Sequence, residues 1–401
     1  MIGVDEALER VLAGVGALSP APLAVSQAVF RHLAADIAAL GTNPPQDTSA
    51  MDGYAVRAGD VQSVPATLHV IGEAPAGGAF EGLVKAGEAV RIFTGGPIPE
   101  GTDAVIAQED TRNLGHGRIE IRETAFPRKH VRSAGSDFFA DDHLLAAGRR
   151  LNAPALALAA ASGHGALELA PQPKVAILAT GDELVPPGTP PGPHQIISSN
   201  SLGLAALVLA AGGTPIDLGI APDDPEAIVH AAQSAPHADV LVTTGGASVG
   251  ERDYVQSALA KEGLTVDFWK IAMKPGKPLI FGAFKGKPFF GLPGNPVSAL
   301  VTALLFLRPA LLKMQGRDPV LPHTDVPLTT AVRATAGRQE YLRARLAHTS
   351  DGGPRAEVLP IQDSAGLKSL AAADALIVRP PHSPAAKPGD TVRAIPLEGL
   401  W

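Results

Sequence analysis

Apolar strand-like runs alternate with helical patterns from Lys174 to Met314, and this alternation constrains the fold more strongly than any other feature of the sequence. The first run is apolar without interruption from Val175 to Ala179. Uninterrupted apolar runs of this kind are typical of parallel strands that are covered on both faces. The alternation therefore predicts a doubly wound α/β sheet in the middle of the chain.

The segments on either side of this sheet have different patterns. Helical periodicity occurs at Val4–Leu18 and at about Val25–Leu40, and a polar loop is predicted at Gln46–Val56. Short strand patterns occupy about residues 57–130 and return from about Val320 onward. We predict a multidomain α/β protein: a helical N-terminal part with an inserted β domain, a central doubly wound α/β domain, and a C-terminal β-barrel-like domain. The predicted domains span residues 1–170, 171–318 and 319–401.

Composition and charge exclude several classes of protein. The formal net charge is -7 and no stretch is dense in Lys and Arg, which argues against nucleic-acid binding. The chain has no cysteine, which excludes disulfides, thiolate metal sites and cysteine nucleophiles. Its apolar runs are too short to span a membrane, and its first residues lack the pattern of a signal peptide. We therefore expect a soluble cytoplasmic protein with no membrane partner.

A glycine-containing loop follows the strand Val240–Val242 and leads toward a helix that carries Asp253. Its glycines leave backbone N–H groups accessible, which is how proteins hold phosphate. The segment Thr180–Leu184 follows another strand, and the carboxyl ends of parallel strands meet at one edge of a sheet. Either loop alone could be an ordinary turn, but two such loops at one edge favour a site for a phosphorylated ligand.

Two further segments lie at predicted helix starts. Ser198–Ser201 offers N-capping side chains, and its surplus hydroxyls suggest ligand contacts as well. Asn295 is the predicted N-cap of the long helix that follows Gly291–Gly294, with Pro296 at its first position. The positive end of that helix favours an anion. Three lysines lie just upstream and fit oxyanion or phosphate binding: Lys270, Lys274 and Lys277.

Carboxylates are the candidate metal ligands, because the chain has no cysteine and its histidines show no metal-binding motif. The histidines form no HExxH or similar pair, so no histidine metal site is predicted. Carboxylates favour a hard cation such as Mg²⁺. The segment Asp47–Val56 contains Asp52-Gly53, which by itself is equally compatible with a plain turn.

Together these motifs resemble the MoeA family of molybdopterin molybdenumtransferases, which is similar to the E domain of gephyrin. The motifs occur in the family's order along nearly the whole chain. They are Ser49-Ala-Met-Asp-Gly-Tyr-Ala, Thr94-Gly, Thr180-Gly-Asp-Glu-Leu, Ser199-Asn-Ser, Thr244-Gly-Gly-Ala-Ser-Val-Gly-Glu-Arg-Asp-Tyr, Lys274-Pro-Gly-Lys-Pro and Leu292-Pro-Gly-Asn-Pro-Val-Ser.

The resemblance implies an enzyme of molybdenum cofactor biosynthesis. Its substrates would be molybdopterin-AMP, the adenylylated form of molybdopterin, and molybdate, and it would insert molybdenum and release AMP in an Mg²⁺-dependent step. It also implies a homodimer whose active cleft is shared between subunits, and leaves room for other molybdenum cofactor biosynthesis proteins as partners.

Site residues carry over from the resemblance by position. The implied catalytic residues are Asp52, Glu183, Asp253, Lys270 and Lys274. The implied Mg²⁺ ligands are Asp137, Glu183, Asp223 and Asp253, although Ser136 replaces the family's Glu beside Asp137. The implied substrate-binding residues are Thr94, Thr180, Ser199, Asn200, Thr244, Gly245, Gly246, Ser248, Gly250, Lys277, Pro293, Gly294, Asn295, Arg343 and Ser364, the last two matched by spacing only.

Two other functions remain open at this stage. The central region alone also resembles pterin-binding enzymes of the adenylyl-transfer type, but these lack a counterpart to the Asp52 motif and the C-terminal β domain. A non-catalytic, gephyrin-like scaffold is the second alternative, against which the retained carboxylates and lysines argue. Tungstate and molybdate are tetrahedral oxyanions of similar size, and the sequence does not discriminate between them.

Overall fold

The computed structural model describes residues 1–246, 254–348 and 353–401, with only the backbone of His348. These residues form two compact units. The large unit comprises Met1–Ala21 and Ala170–Trp401, and the small unit comprises Pro22–Leu169. The predicted central and C-terminal domains both belong to the large unit, so their division at residue 318 stays a prediction.

The main sheet of the large unit has six strands in the described part of the chain. Its first four strands are parallel, and the pairs on either side of Ile280–Phe284 are antiparallel. In spatial order the strands are Thr214–Ala221, Lys174–Thr180, Val240–Thr244, Lys287–Leu292, Ile280–Phe284 and Leu264–Trp269. Ala179 pairs with Thr244, and Thr244 pairs with Leu292, so three strands end at the same level of the sheet.

Helices cover both faces of this sheet because alternate strand residues point to opposite sides. Val175 and Ile177 pack in one core cluster, whereas Ala176 and Leu178 pack in the other. The helices are Val4–Ala13, Asn200–Ala210, Pro225–Gln233, Tyr254–Lys261, Leu367–Ala371, and one continuous helical segment made of Pro296–Thr302, a π-helical turn at Ala303–Leu307, and Arg308–Met314. The doubly wound sheet and the multidomain α/β class are therefore confirmed.

The expectation that every apolar run is too short to span a membrane is wrong for the helical segment Pro296–Met314, which is long and apolar enough to cross one. However, 83% of its most apolar window is buried inside the protein. It packs in the main core through residues such as Leu304, Phe306 and Leu311, each fully buried. In the residues described, it is therefore the core helix of the large unit.

A second sheet in the large unit forms the C-terminal β structure. In spatial order its strands are Met273–Lys274, Gln339–His348, Ala375–Arg379, Thr391–Pro396 and Thr324–Pro327, with Pro354–Val358 paired to Gln339–His348. A short parallel pair, Leu184–Val185 with Ile196–Ile197, lies outside both sheets. The C-terminal β domain is confirmed.

The small unit is built around its own six-stranded sheet in the described residues. Its strands in spatial order are Ala104–Ala107, Gly53–Val56, Glu88–Ile92, Ala66–Ala74, Arg118–Ile121 and Thr111–Gly115. The remaining elements are the helix Ala153–Ala161, three 3₁₀ turns at Val25–Gln27, Ala58–Val61 and Gln108–Asp110, and short strand pairs formed by Ala21–Ala24 with Ala166–Leu169, Ile37–Ala38 with His143–Leu145, and Thr48–Ser49 with Val131–Arg132.

Two predictions of local structure are wrong in the small unit. The predicted helix at Val25–Leu40 is a 3₁₀ turn, irregular chain and a two-residue strand. Its N–H groups donate to distant carbonyls, as Leu33 does to Arg149 at 3.0 Å, so the tertiary structure overrides the helical period. The predicted polar loop Gln46–Val56 contains the strand Gly53–Val56, which lies inside the sheet and was too short to show a pattern.

Candidate functional site

A cleft with a volume of about 580 Å³ opens at the carboxyl ends of the parallel strands in the large unit. The loops after Thr180, Thr244 and Leu292 all contribute to its wall. Nine predicted site residues line it: Thr180, Glu183, Ser199, Asn200, Thr244, Gly245, Pro293, Gly294 and Asn295. A cavity therefore lies at the edge of the sheet where the two strand ends predicted a ligand site, and ligand binding there stays a prediction.

Gly245 and Gly246 can pack closely against Thr180 and Val255 because they have no side chains. Gly245 has φ +97°, and a Cβ there would lie 2.3 Å from the carbonyl oxygen of Thr180. Gly246 has φ +61°, and its Cβ would lie 2.5 Å from a methyl group of Val255. Both the backbone conformation and the available space therefore require glycine.

Asn200 ties the three loops together. Its Nδ2 donates to the hydroxyl oxygen of Thr244 at 2.8 Å and to the carbonyl of Gly294 at 2.9 Å. The Thr244 hydroxyl in turn donates to the carbonyl of Pro293 at 3.2 Å. These bonds hold loops that lie far apart in the sequence in one arrangement around the cleft.

Two polar atoms of lining residues are buried without a hydrogen-bond partner among the described residues: Thr180 Oγ1 and Asn200 Oδ1. A buried polar group without a partner costs about 1–3 kcal/mol. Native structures accept this cost at few positions, and a bound ligand is one explanation for it. These atoms therefore indicate where polar groups of a ligand would bind.

The predicted capping roles are not observed in the described structure. Ser199 and Asn295 occupy the N-cap positions of their helices, but neither side chain makes a capping hydrogen bond there. Asn295 instead donates from Nδ2 to the Ser364 hydroxyl at 3.1 Å. The backbone N–H of Val297 donates to the Ser364 carbonyl at 3.0 Å, so Ser364 lies against the N-terminus of the long helical segment.

Arg343 anchors the loop that carries Ser364. Its guanidinium is fully buried and donates from Nη2 to the carbonyls of Ile361 and Asp363, both at 3.0 Å, and from Nε to the Ser369 hydroxyl. Burial lowers the pKa of Arg343, and the charge of Asp363 acts in the opposite direction. Its Nη1 is buried and has no partner in the described part of the chain.

The three predicted lysines do not line the cleft in the part of the chain that the structure describes. Lys270 places its ammonium 3.8 Å from the centroid of the Trp269 ring, and Lys274 lies 3.8 Å from Glu340 Oε1. Lys274 and Glu340 line a second cavity of about 400 Å³. Direct contact between these lysines and a ligand in the cleft stays a prediction.

The predicted metal-ligating carboxylates belong to both units, and their meeting at one ion stays a prediction. Glu183 lines the cleft, and the backbone N–H of Asp223 donates to Asp182 Oδ1 at 3.0 Å. Asp137, in the small unit, accepts a hydrogen bond from Asn43 at 3.1 Å. Within the described residues there is no group of three or more His, Asp or Glu side chains that could hold a metal.

Three predicted residues, Ser248, Gly250 and Asp253, lie outside the described residues. The predicted site residues leave out the other lining residues, which are Ala179, Leu184, Ile196, Ile197, Ser198, Pro278, Pro296, Ser298 and Ala365. Leu184, Pro278 and Ser298 lie within the motifs quoted from the sequence. Ala365 could have been found from its position beside Ser364. The exposed Ile196 and Ile197 carried no recognisable signal because their strand is only two residues long.

In the small unit, Asp52 and Thr94 form a direct pair. The backbone N–H and the hydroxyl of Thr94 donate to Asp52 Oδ1 at 2.7 Å and 2.8 Å. These bonds, with the Thr94 N–H as the largest cause, lower the pKa of the Asp52 carboxyl, and the charge of Arg91 contributes in the same direction. Asp52 is therefore an exposed carboxylate that is held ionised.

Models of known protein families match the chain over most of its length. Residues 2–163 match the MoeA N-terminal region (domain I and II), and residues 176–313 match a probable molybdopterin binding domain. Residues 325–397 match the MoeA C-terminal region (domain IV).

Individual proteins are similar to this chain over most or all of its length. A molybdopterin molybdenumtransferase of Haemophilus influenzae is 37% identical, with 100% of both chains covered. Molybdopterin molybdenumtransferase 2 of Mycobacterium tuberculosis is 38% identical, covering 87% of this chain and 88% of that protein. A crystal structure of a molybdopterin biosynthesis MoeA protein from Pyrococcus horikoshii superposes with a TM-score of 0.82 at 32% identity, with 100% of both chains covered.

Proposed function

Since the chain belongs to the MoeA family of molybdopterin molybdenumtransferases, we propose that it inserts molybdenum from molybdate into adenylylated molybdopterin and releases AMP in an Mg²⁺-dependent step. Membership of this family makes the chain an enzyme of molybdenum cofactor biosynthesis. The adenylylated substrate, the release of AMP and the need for Mg²⁺ are the parts that we propose.

The cleft in the large unit is the observation that carries this proposal. Its volume of about 580 Å³ suits a pterin-sized ligand with phosphate groups. Gly245 and the N-terminus of the helical segment Pro296–Met314 both line this cleft, and they offer a backbone N–H group and a positive dipole end for an anion. The buried Thr180 Oγ1 and Asn200 Oδ1 provide polar contacts that discriminate between ligands.

The loop 361–365 gives the cleft a second polar wall. Ser364 is hydrogen-bonded to Asn295, and Ala365 lines the cleft. Arg343 holds this loop and keeps one buried, unpartnered N–H group among the described residues. We assign molybdate to this side of the cleft, where the Ser364 hydroxyl lies against the N-terminus of the helical segment Pro296–Met314 and its positive dipole end favours an oxyanion.

The residues present fit an Mg²⁺ ion that is held mainly by its ligand. Mg²⁺ is commonly bound by one or two carboxylates together with phosphate oxygens and water. Glu183 supplies one carboxylate at the cleft, so a complete cluster of protein ligands is not needed. Bound there, the ion would neutralise charge on the phosphoanhydride as AMP leaves.

In the small unit, Asp52 and Thr94 are proposed to act in the reaction. The ionised Asp52 carboxylate and its fixed orientation support a role in catalysis or positioning.

The chain is also proposed to be a homodimer. Light scattering of the purified protein measures the oligomeric state directly, and a monomeric mass would contradict the dimer.

The test is an assay with purified protein and adenylylated molybdopterin. AMP is measured by chromatography, and pterin-bound molybdenum by mass spectrometry. Release of AMP and transfer of molybdenum should both require molybdate and Mg²⁺, and EDTA should abolish them. Parallel reactions with tungstate determine which oxyanion the enzyme uses.

Each alternative function predicts a different result in this assay. A scaffold would release no AMP with every component present. An adenylyl-transfer enzyme would instead form adenylylated molybdopterin from molybdopterin and ATP. AMP release that continues without an oxyanion would contradict the proposed coupling between AMP release and molybdenum insertion.

A further inference from the structure

Arg91 lies next to the Asp52–Thr94 pair and has no role in the function described so far. It stands on the strand Glu88–Ile92, directly opposite Tyr54 on the neighbouring strand. Its guanidinium carbon is 5.0 Å from the centroid of the Tyr54 ring and 5.1 Å from that of the Phe93 ring. Two aromatic rings therefore hold this cation by cation–π contact.

Arg91 donates hydrogen bonds to two residues that are each joined directly to Asp52, one by a peptide bond and one by a hydrogen bond. Nη1 donates to the carbonyl of Gly53, the residue after Asp52, at 3.1 Å. Nη2 donates to Gln108 Oε1 at 2.6 Å. The backbone N–H of Gln108 in turn donates to the carbonyl of Asp52 at 3.0 Å. Arg91 thus connects the two backbone segments that hold Asp52 in place.

The backbone at Asp52 has little room to adopt another arrangement. A Cβ on Gly53 would lie 1.9 Å from the carbonyl oxygen of Ile106, so this strand packs directly on its neighbour. Asp52 directly precedes the strand Gly53–Val56 and is exposed, and its Oδ1 accepts both hydrogen bonds from Thr94. The orientation of Asp52 therefore depends on the Thr94 hydrogen bonds to its carboxylate and on the Arg91 hydrogen bonds to Gly53 and Gln108.

We propose that Arg91 is a positioning residue that fixes the orientation of the Asp52 carboxylate for the molybdenum-insertion reaction. This inference rests on the proposed role of Asp52. Arg91 itself acts through Gly53 and Gln108 and is not assigned a contact with substrate. Its planar, forked guanidinium meets both acceptors at once, which a lysine ammonium in the same place would not reproduce.

Charge supports the same assignment. The positive charge of Arg91 lowers the pKa of Asp52, after the larger effects of the Thr94 N–H and hydroxyl. The adjoining 3₁₀ turn Gln108–Asp110 carries two acidic residues, Glu109 and Asp110, and Glu109 Oε1 accepts a hydrogen bond from Gln108 Nε2 at 3.3 Å. Removing Arg91 would therefore take away a positive charge that favours the ionised form of Asp52.

The experiment is a double-mutant cycle in the full-length protein, with initial rates of molybdenum insertion as the readout. The variants are R91Q, R91K, D52N and D52N/R91Q. R112Q is the matched control, because Arg112 also lies on this sheet but pairs with Glu120. We expect R91Q to lower kcat about tenfold with little change in KM, R91K to fall between, and R112Q to match the wild type.

The cycle distinguishes positioning from a general structural role. If Arg91 acts through Asp52, R91Q causes no further loss in the D52N background. An equal loss in both backgrounds would overturn the inference. A second readout is the Asp52 carboxyl pKa, measured by NMR with ¹³C-labelled aspartate. It should rise in R91Q and stay unchanged in R112Q, and an unchanged value in R91Q would also overturn the inference.

Failure of the proposed function gives a different pattern. If D52N keeps full activity, Asp52 has no part in the reaction, and the assignment of Arg91 falls with it even if the NMR shift occurs. If D52N is inactive and R91Q retains wild-type kcat, the role of Asp52 stands and only the inference about Arg91 is contradicted. Circular dichroism and the melting temperature of each variant show whether it is folded.

Discussion

At the scale of single residues, buried polar atoms without a partner are candidates for ligand contacts in the cleft. Thr180 is 2% exposed, and its hydroxyl has no partner in the described part of the chain. Thr243 shares both properties but is not part of the cleft lining. The two threonines therefore form a natural pair for separating ligand binding from stability.

The corresponding prediction concerns T180V. Valine keeps the shape of threonine and removes an unsatisfied hydroxyl, so the free energy of unfolding should stay equal or rise. If Thr180 Oγ1 contacts the ligand, KM for adenylylated molybdopterin should increase about five- to twentyfold, which corresponds to about 1–2 kcal/mol. Steady-state kinetics and thermal melts measure both quantities. T243V should leave KM unchanged, and a KM for T180V equal to that of the wild type would rule out the contact.

At the scale of elements, the loop 361–365 depends on one buried side chain. Arg343 donates to two of its carbonyls, and the loop then places Ser364 against Asn295. Removing the guanidinium leaves those carbonyls without donors. Part of the geometry of the cleft is therefore determined by the strand Gln339–His348, which lies in a different sheet.

We expect R343M to lower the free energy of unfolding by about 2 kcal/mol or more, because buried acceptors lose their partners. KM for molybdate should also rise as Ser364 loses its fixed position. Chemical denaturation and oxyanion-dependent kinetics are the measurements. R345M is the control, since Arg345 is exposed on the same strand. Equal stability of the two variants would show that the buried contacts of Arg343 do not stabilise the loop.

Another element of the small unit is held by an ion pair. Arg128 Nη1 donates to Asp47 Oδ2 at 2.9 Å, and the Ala134 N–H donates to Asp47 Oδ1 at 2.9 Å. The hydrogen bond from Arg128, followed by that from Ala134, lowers the pKa of Asp47. A depressed carboxyl pKa stabilises the folded state above the ordinary pKa and loses this effect as the pH falls through the folded value.

For D47N we therefore expect a loss of about 0–1 kcal/mol at pH 7, because the pair is partly exposed and screened by solvent. The difference from the wild type should shrink as the pH falls below about 4. Melting temperatures between pH 3 and pH 7 measure this dependence. R128Q should cause a similar loss at pH 7, and D47N/R128Q should lose little more. A difference that is constant with pH would contradict the electrostatic explanation.

At the scale of the whole molecule, the chain contains two units with separate cores. The small unit has its own sheet and its own apolar clusters, such as the one around Ile106, Ile119 and Ile121. Its first and last segments are adjacent, because Ala21–Ala24 pairs with Ala166–Leu169. A unit whose ends are close together can be inserted into another chain without disturbing its own fold.

We therefore predict that residues 22–169 fold when expressed alone. The isolated segment should give dispersed NMR spectra and a cooperative melt, because its core clusters are complete within it. It should show no molybdenum-insertion activity, since the cleft belongs to the large unit. A segment that lacks a cooperative transition would show that the small unit depends on the rest of the chain.

Much of the large unit could be predicted from the sequence, because its buried parallel strands are apolar without interruption. The run at Val175–Ala179 identified a central strand, and the loop after Thr180 identified one wall of the cleft. The structure of the small unit was harder to predict from the sequence. The segment Val25–Leu40 has a helical period, but its backbone bonds to distant carbonyls such as those of Arg149 and Leu151. A local pattern contains no information about such partners.

By itself, the sequence determined the family, the doubly wound sheet and the positions of the glycines, because these depend on short motifs and local periodicity. Only the tertiary structure decided which predicted residues meet. Asn295 and Ser364 are hydrogen-bonded although 69 positions separate them, and Asn200 joins loops at Thr244 and Gly294. In the described residues, Lys274 faces Glu340 and not the cleft. Side-chain direction depends on how distant segments pack, and no single segment of the sequence contains that arrangement.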